Sequence, residues 1–245
     1  LCTRNELERL QALLLPLSDD IRIVAHLDDP ARVLIRRYAG QLADGRARGL
    51  QLELGCTAAP SFWDAALATR PKATPEAGQF SDAQGACYWL DFKRLQKFWE
   101  AVFGPGSVDY RSIDMARFYS SAATEELRAS FGINDTIGKA DPEDIPNLPA
   151  AAWQTRSRLF NDAVFRLLAH KQAILPRKLW RKFLGEIKVQ GDPIAPGSLH
   201  ALSTYFAQDI AELCSAHSGL RAGMMRADKP QAAWQEADPT NGFRA

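Results

Sequence analysis

The chain has 245 residues, of which 46% are hydrophobic and 24% are charged, a composition that is ordinary for a globular protein with a substantial core. Its 30 basic and 29 acidic residues give a net charge of +1, so no global electrostatic case exists for nucleic acid or an anionic membrane as a partner. No apolar run is long enough to span a bilayer and no signal peptide is visible, so we predict a cytoplasmic protein without a transmembrane segment.

Short catalytic and metal-binding motifs are absent from the sequence. The four cysteines, at positions 2, 56, 87 and 214, form no CxxC pair and no Cys/His cluster with zinc-ligand spacing, which predicts buried thiols and no metal site. GxSxG, HExxH, GxGxxG and Walker sequences are also missing. Nucleophilic hydrolase, zinc protease and dinucleotide-binding functions are therefore without support.

The beginning of the chain alternates helix, strand and helix. Leucines at helical spacing predict a helix over 6–15, and a β-branched run over 21–27 predicts a short strand. Asp28 and Asp29 before Pro30 mark the start of a second helix, because proline is favoured at the first helical position. This order is typical of an α/β protein.

The middle of the chain contains a second predicted strand. The alternating leucines of 50–54 fit either a strand or the start of a helix, and 60–70 reads as a short helix. Two prolines and two glycines predict an exposed loop over 71–86. An aromatic helix over 92–103 ends at Phe-Gly-Pro-Gly, and alternation predicts a strand over 107–113.

The C-terminal half reads as helical. A helix follows Thr124 and ends at Phe131, and a polar loop with three prolines covers 133–152. Residues 221–245 have no clear periodicity. Apolar residues at helical spacing predict three further helices, over 153–170, 176–187 and 198–215.

Three segments, in this order, resemble the sulfotransferase family, in particular its bacterial branches that modify polysaccharides and lipids. The first, 5–45, is similar to the family's strand, turn and helix with a Tyr and a Gln-x-x-x-Gly run. The second, 89–118, is similar to an aromatic helix that ends at Phe-Gly before a strand and a turn, where Ser-Ile-Asp at 112–114 replaces tyrosine–glutamate. The third, 124–143, is similar to the family's helix, Phe-Gly-Ile and Asn-containing loop.

The resemblance implies an α/β fold of the P-loop type, with a doubly wound parallel sheet, flanking helices and a helical C-terminal region. It implies a core over 1–142, a helical region over 143–220 packed on that core, and an extended tail over 221–245. The family's phosphosulfate loop, a Gly- and Lys-containing turn, is absent from these residues. Because the chain begins at Leu1 and enters a helical pattern at once, we expect that loop upstream.

The resemblance also implies a function. The family transfers a sulfuryl group from 3′-phosphoadenosine 5′-phosphosulfate (PAPS) to a hydroxyl or amine, so we expect a carbohydrate, lipid or other cell-surface hydroxyl compound as acceptor and no nucleic acid partner. Two alternatives stay open. One is a non-catalytic protein of the same fold that binds a glycan or a protein partner, and the other is an all-helical interaction domain.

The family pattern assigns candidate ligands for PAPS. Arg36 falls on the family's 3′-phosphate Ser, Arg32 shares its helix face, and Lys139 lies in the loop that closes over the nucleotide. Asn134 is a further candidate in that loop. Asp28 falls on the family's 3′-phosphate Arg, where an acid repels a phosphate unless arginines neutralise it. The alternative for the basic residues is a solvated surface.

Two further features have a functional and a structural interpretation. His26 ends the predicted strand, where catalytic groups collect in open sheets, and it is either a general base or a hydrogen-bonded structural residue. The segment 176–188 interleaves basic residues with Leu, Trp and Phe. It is either a basic amphipathic helix for membrane lipid or an anionic glycan, or a helix packed on the main domain with extended Lys and Arg side chains.

Overall fold

The structure, a computed structural model, describes residues 2–72 and 80–241. It divides into two compact units, each built from three stretches of the chain. The sheet unit comprises Leu1–Asp29, Phe92–Asn147 and Phe206–Arg226. The helical unit comprises Pro30–Asp91, Leu148–Tyr205 and Ala227–Ala245. The two units thus interleave along the sequence, whereas the predicted division into 1–142, 143–220 and 221–245 follows contiguous segments.

Helices form most of the described structure. Two strands, β1 (Ile23–Leu27) and β2 (Val108–Ser112), accompany them, and Tyr88–Leu90 and Pro196–Leu199 form 3-10 turns. The helices in chain order are α1 (Arg4–Leu14), α2 (Pro30–Ala43), α3 (Gln51–Cys56), α4 (Phe62–Ala68), α5 (Ser81–Gln84), α6 (Phe92–Phe103), α7 (Met115–Phe118), α8 (Ala123–Phe131), α9 (Ala151–Lys171), α10 (Arg177–Glu186), α11 (His200–Tyr205) and α12 (Ala207–Ala216).

The two strands pair in parallel, with Ile23 opposite Val108 and Leu27 opposite Ser112. Parallel neighbours require a long crossover connection, and here the chain from β1 to β2 supplies it. The α/β class and both predicted strands are confirmed. The predicted doubly wound sheet is larger than the sheet found. In the described residues the other apolar runs have helical spacing, and of the leucine segment 50–54, residues 51–54 belong to α3.

The two faces of the sheet meet different helices because strand side chains alternate. Val108, Tyr110 and Ser112 are buried on one face, where the Tyr110 hydroxyl donates to the Phe92 carbonyl oxygen of α6 at 2.9 Å. The opposite face carries His26 and Arg111, which lie opposite each other in the register. This face meets α8, so the sheet lies between two helical layers of its own unit.

A turn of chain after α12 covers the outer edge of β2. The Ser112 amide donates to the Gly219 carbonyl oxygen at 2.9 Å, and the Tyr110 amide donates to His217 Nδ1 at 3.4 Å. Burial lowers the pKa of His217, which keeps the ring neutral and able to accept that bond. A Cβ at position 219 would lie 2.8 Å from the Tyr110 carbonyl oxygen, so only glycine allows the close approach.

Helix α2 is central to the helical unit. Its buried face includes Leu34, Ile35, Tyr38 and Leu42, which recur at the spacing predicted for a core-facing helix. Helices α9, α10 and α11 pack against it. The predicted start at Pro30 is confirmed.

Most of the other predicted helices are confirmed within about one or two residues at each end. Two regions differ. The predicted helix 198–215 is broken at Phe206, where φ is −93° and ψ is 2°, which divides it into α11 and α12. In the predicted loop 71–86, residues 73–79 lie outside the described residues and Ser81–Gln84 forms a turn of helix.

A fully buried ion pair stabilises the helical unit. Arg46 and Glu53 side chains are both 0% exposed, and two Arg46–Glu53 hydrogen bonds of 2.8 Å join them. The other Arg46 donors reach Gln41 Oε1 at 2.7 Å and the carbonyl oxygens of Arg48 and Gly49 at 2.8 and 3.0 Å. All five guanidinium N–H donors are therefore satisfied, which a buried charge requires.

Replacing Glu53 tests this ion pair. Glu53→Gln leaves the Arg46 charge buried without a counter-ion, so we expect the free energy of unfolding to fall by about 3–5 kcal/mol. Urea denaturation measures the change. Glu8→Gln is the matched control, because Glu8 pairs with Arg4 on the surface, with side chains 48% and 67% exposed, and should cost at most about 0.5 kcal/mol. Equal effects of the two substitutions would contradict the assignment.

Candidate functional site

Charged and polar side chains meet at the carboxyl ends of the two strands. We call them the strand-end cluster: His26 of β1, Arg111 of β2, Arg117 of α7, and Glu126 and Ser130 of α8. His26 and Arg111 are register partners, so both side chains leave the same face of the sheet. Glu126 and Ser130 are four positions apart and share a face of their helix. Four separate elements of the sheet unit therefore supply the cluster.

The Glu126 carboxylate lies at the centre of the strand-end cluster, and its side chain is 9% exposed. It accepts a hydrogen bond from Arg111 Nε at 2.9 Å, and Arg117 Nε lies 3.4 Å from its second oxygen. Burial on its own raises the pKa of Glu126, but the hydrogen bonds from Arg111 and His26 and the charges of both arginines outweigh burial and lower it. Glu126 is therefore ionised at neutral pH.

His26 forms a pair with this carboxylate. Its Nε2 lies 3.3 Å from Glu126 Oε1, and its ring meets the Phe118 ring edge-on with centroids 4.8 Å apart. Because an ionised carboxylate only accepts, the hydrogen-bonded His26 nitrogen carries a proton. In the neutral form of the ring, Nδ1 then holds the lone pair. A histidine held in this way takes a proton at Nδ1, and the neighbouring carboxylate stabilises the resulting imidazolium.

Ser130 does not complete a nucleophilic triad. Its hydroxyl lies 3.3 Å from His26 Nε2, the same nitrogen that faces Glu126. A serine and an acid must contact opposite nitrogens of the histidine for the ring to relay a proton between them. The Ser130 hydroxyl instead donates to the Glu126 carbonyl oxygen at 2.7 Å, which ties it to its own helix. The geometry therefore excludes acyl transfer through Ser130.

The strand-end cluster carries an excess of positive charge. Two guanidiniums face one carboxylate, which leaves an excess of one positive charge before His26 is counted. The Arg111 and Arg117 side chains are 21% and 37% exposed, which keeps them within reach of solvent. Arg111 and Arg117 both contact Glu126 through their Nε atoms. Within the described part of the chain, the Nη donors of both arginines are therefore available to bind an anion. Guanidinium geometry suits the oxygens of a phosphate or sulfate group.

The predicted cofactor ligands are divided between the two units. Arg32 and Arg36 lie on α2 of the helical unit, where Arg32 Nη1 bonds Asp228 Oδ2 at 2.6 Å and Arg36 is partly buried. Lys139 and Asn134 lie in the sheet unit and are exposed. Each unit thus brings together only part of the predicted set. The role of Arg36, Arg32 and Lys139 in binding PAPS stays a prediction.

Sequence reasoning identified His26 but missed its partners. The alternation of β2 places Arg111 and Tyr110 on opposite faces of the strand. Because Tyr110 faces the core, this pattern could have predicted that Arg111 lies outside it. Glu126 carries no such signal, because 100 positions separate it from His26 and only the packing of α8 brings them together. Arg117 was not predicted because it lies on α7, a short helix that Asp114 caps and that the sequence analysis missed.

The cysteines and the helices add few constraints on function. All four cysteines are free, and Cys56 and Cys87 are buried, as predicted, while Cys2 and Cys214 are partly exposed. Burial raises the pKa of Cys87 to about 12, so that thiol is unreactive. Within 2–72 and 80–241, no group of three or more His, Cys, Asp or Glu side chains has metal-site geometry. None of the described helices has the length and apolar content needed to span a membrane.

Comparison of this chain with protein-family models, curated proteins and solved structures finds no match. The sulfotransferase resemblance therefore depends on the residues quoted above.

Replacing Glu126 tests the electrostatic role of the strand-end cluster. Glu126→Gln removes the charge that Arg111 and His26 contact, so we expect a loss of about 1.5–3 kcal/mol in the free energy of unfolding at pH 7. A carboxylate with a lowered folded pKa stabilises the protein above the pKa of unfolded Glu, about 4.3, and that stability is lost as the pH falls through the folded pKa. The difference between the two proteins should therefore shrink below about pH 4.

Urea denaturation between pH 7 and pH 3 measures this difference. The matched control is Glu125→Gln, because the neighbouring Glu125 side chain is 62% exposed and pairs with Arg128 on the surface. Its effect should be at most about 0.5 kcal/mol. A cost for Glu126→Gln that does not change with pH would rule out the charged role.

Proposed function

We propose that the chain is a sulfotransferase-like protein that transfers a sulfuryl group from PAPS to a hydroxyl of a carbohydrate or another cell-surface compound. The observation that carries the proposal is the His26–Glu126 pair beside two arginines, at the carboxyl ends of parallel strands. Ligands of open α/β sheets bind at this end of the strands. We therefore assign the reaction to the strand-end cluster.

The chemistry of the cluster fits the transfer. In this reaction a bond forms between the acceptor oxygen and sulfur, while the bond from sulfur to the phosphate oxygen of PAPS breaks. His26 Nδ1 takes the proton of the acceptor hydroxyl, and Glu126 stabilises the charged ring. Arg111 and Arg117 stabilise the negative charge on the group in transfer. Each of these roles uses a group that the cluster already positions.

The parallel strand pair supports the finer assignment of a P-loop-type doubly wound sheet. The order of segments agrees with the resemblance: β1, a crossover that includes the aromatic helix α6, then β2 and α8. In the described residues no strand pairs with the outer edge of β1, and Ile23 to His26 are only partly buried. A doubly wound sheet has a further parallel strand at such an edge.

Arg36, Arg32 and Lys139 are the proposed ligands of the donor nucleotide. Arg32 is already bonded to Asp228, so a phosphate at that position has to replace a carboxylate. Arg36 falls on the family's 3′-phosphate Ser, and for that reason we expect it to contribute most among the residues on α2. A guanidinium–phosphate contact of this kind contributes about 1.5–3 kcal/mol to binding.

One observation favours a second candidate function, a non-catalytic protein that binds a glycan or a protein partner. Asp28 stands where the family has its 3′-phosphate Arg, and this acid is 8% exposed at the end of β1. A buried acid at that position opposes a phosphate. In this alternative, Arg111 and Arg117 hold an anionic group of the glycan, and His26 has a structural role.

Calorimetric titration of 3′-phosphoadenosine 5′-phosphate tests nucleotide binding. We expect saturable binding that weakens at higher salt and falls about tenfold or more in Arg36→Ala. Lys97→Ala, at an exposed lysine of α6, is the control and should bind like the wild type. If the folded protein shows no saturable binding, the sulfotransferase proposal fails and the binding candidate takes its place.

A transfer assay with labelled PAPS tests the role of His26. His26→Asn removes the base but keeps a polar side chain, so we expect the rate constant to fall about 10²–10⁴-fold while nucleotide binding is retained. Ser130→Ala should leave the rate within a factor of about three, because that hydroxyl bonds its own helix. Full activity of His26→Asn would show that the base lies elsewhere.

A further inference from the structure

Basic residues are concentrated in one part of the helical unit. Residues 165–188 hold 7 of the 30 basic residues of the chain but 1 of its 29 acidic residues. The net charge of +1 for the whole chain therefore conceals a local excess of positive charge. This segment includes the end of α9, the connection that follows it, and α10.

One face of α10 is anchored in the core of the helical unit. Trp180 and Leu184 are 4% and 1% exposed, and the Trp180 indole N–H donates to Asn161 Oδ1 at 2.6 Å. The Asn161 amide in turn donates to the carbonyl oxygens of Leu42 and Arg46 at 2.9 and 2.7 Å. A buried tryptophan with its N–H satisfied sets the rotation of the helix about its axis. The structure thus determines which α10 residues remain outside.

Large apolar side chains remain exposed on the outer side. Leu179 and Phe183, one turn apart on α10, are 43% and 45% exposed. Ile174, in the connection before α10, is 58% exposed, and Leu167 near the end of α9 is 53% exposed. We call these four residues and the lysines beside them the α9–α10 patch. Leu179 and Phe183 share an exposed strip of α10, and exposed apolar residues that are neighbours in this way indicate an interaction surface.

The lysines of the patch border these apolar residues. Lys178 and Lys182 each precede an exposed apolar residue of α10, so they form the neighbouring strip of the helix surface. Lys171 and Lys188 are exposed at the two ends of the segment. Acidic neighbours are few: Glu186 is exposed on α10, and Asp44 is already bonded to Arg181 at 2.5 Å. The strip is therefore positively charged.

We propose that the α9–α10 patch binds the surface of a membrane that contains anionic phospholipid. Leu179 and Phe183 enter the boundary between head groups and acyl chains, while the lysines contact the lipid phosphates and carboxylates. A soluble polyanion would satisfy the lysines but would leave the four apolar side chains in water. The combination of both surfaces fits a helix that lies in the plane of the membrane. This inference does not depend on the proposed transferase activity.

Sedimentation with vesicles tests the proposal. We compare phosphatidylcholine vesicles with and without phosphatidylserine, at low and high salt. The wild type should bind only the anionic vesicles, and binding should weaken as salt rises. Charge reversal in Lys178→Glu/Lys182→Glu should lower the affinity at least about twentyfold, because each lysine near an anionic surface contributes about fivefold. The control Lys72→Glu/Lys229→Glu changes the net charge equally outside the segment and should bind like the wild type.

The apolar contribution needs a separate variant. Leu179→Ser/Phe183→Ser should also lower vesicle affinity, and both residues are already partly in water, so the fold should persist; near-ultraviolet circular dichroism checks this. In Phe183→Trp, brominated lipid should quench the added tryptophan on binding. The proposal is overturned if the wild type does not bind anionic vesicles, or if binding survives the double Ser variant. Absence of quenching in Phe183→Trp, or equal losses for the two double-Glu variants, would overturn it as well.

Discussion

The parallel pairing of β1 with β2 is the interaction on which the candidate site depends. Parallel strands end at the same edge of the sheet, and the register places His26 of one beside Arg111 of the other. A shift of either strand by one residue would turn its side chain to the opposite face, where α6 covers Tyr110. The turn at His217–Arg221 holds the outer edge of β2 and so restrains this register. The cluster is a property of backbone register as much as of residue type.

Two arginine–glutamate groups in the chain differ in whether their hydrogen-bond donors remain available for a ligand. Arg46 has all its donors bonded inside the helical unit, and no part of it reaches solvent. Arg111 and Arg117 share one carboxylate through Nε and remain partly exposed. The first group closes a core, whereas the second keeps positive charge beside a histidine at the end of a sheet. The same residue types therefore have a structural role in one unit and a candidate binding role in the other.

The elements of this fold could be predicted where local pattern decides them. The alternation in β2 and the 3.6-residue spacing of α2 are visible in sequence because burial selects one side of each element. The break at Phe206 was not predicted, since apolar spacing continues through it. For the site, His26 was predictable from its position at a strand end. Glu126 was not, because its contact with His26 depends on the packing of α8.

The interleaved course of the chain has a consequence for folding. The boundaries of the two units make the chain pass between them five times, so neither unit is one continuous stretch. When the segment Pro30–Asp91 folds within the helical unit, its compact form limits how far apart the two sheet-unit stretches that it connects can be. The sheet unit then has to close a loop with a shorter effective length, and the entropy cost of folding the sheet unit is lower. Each unit thus acts on the other as a crosslink does, by restricting its unfolded state.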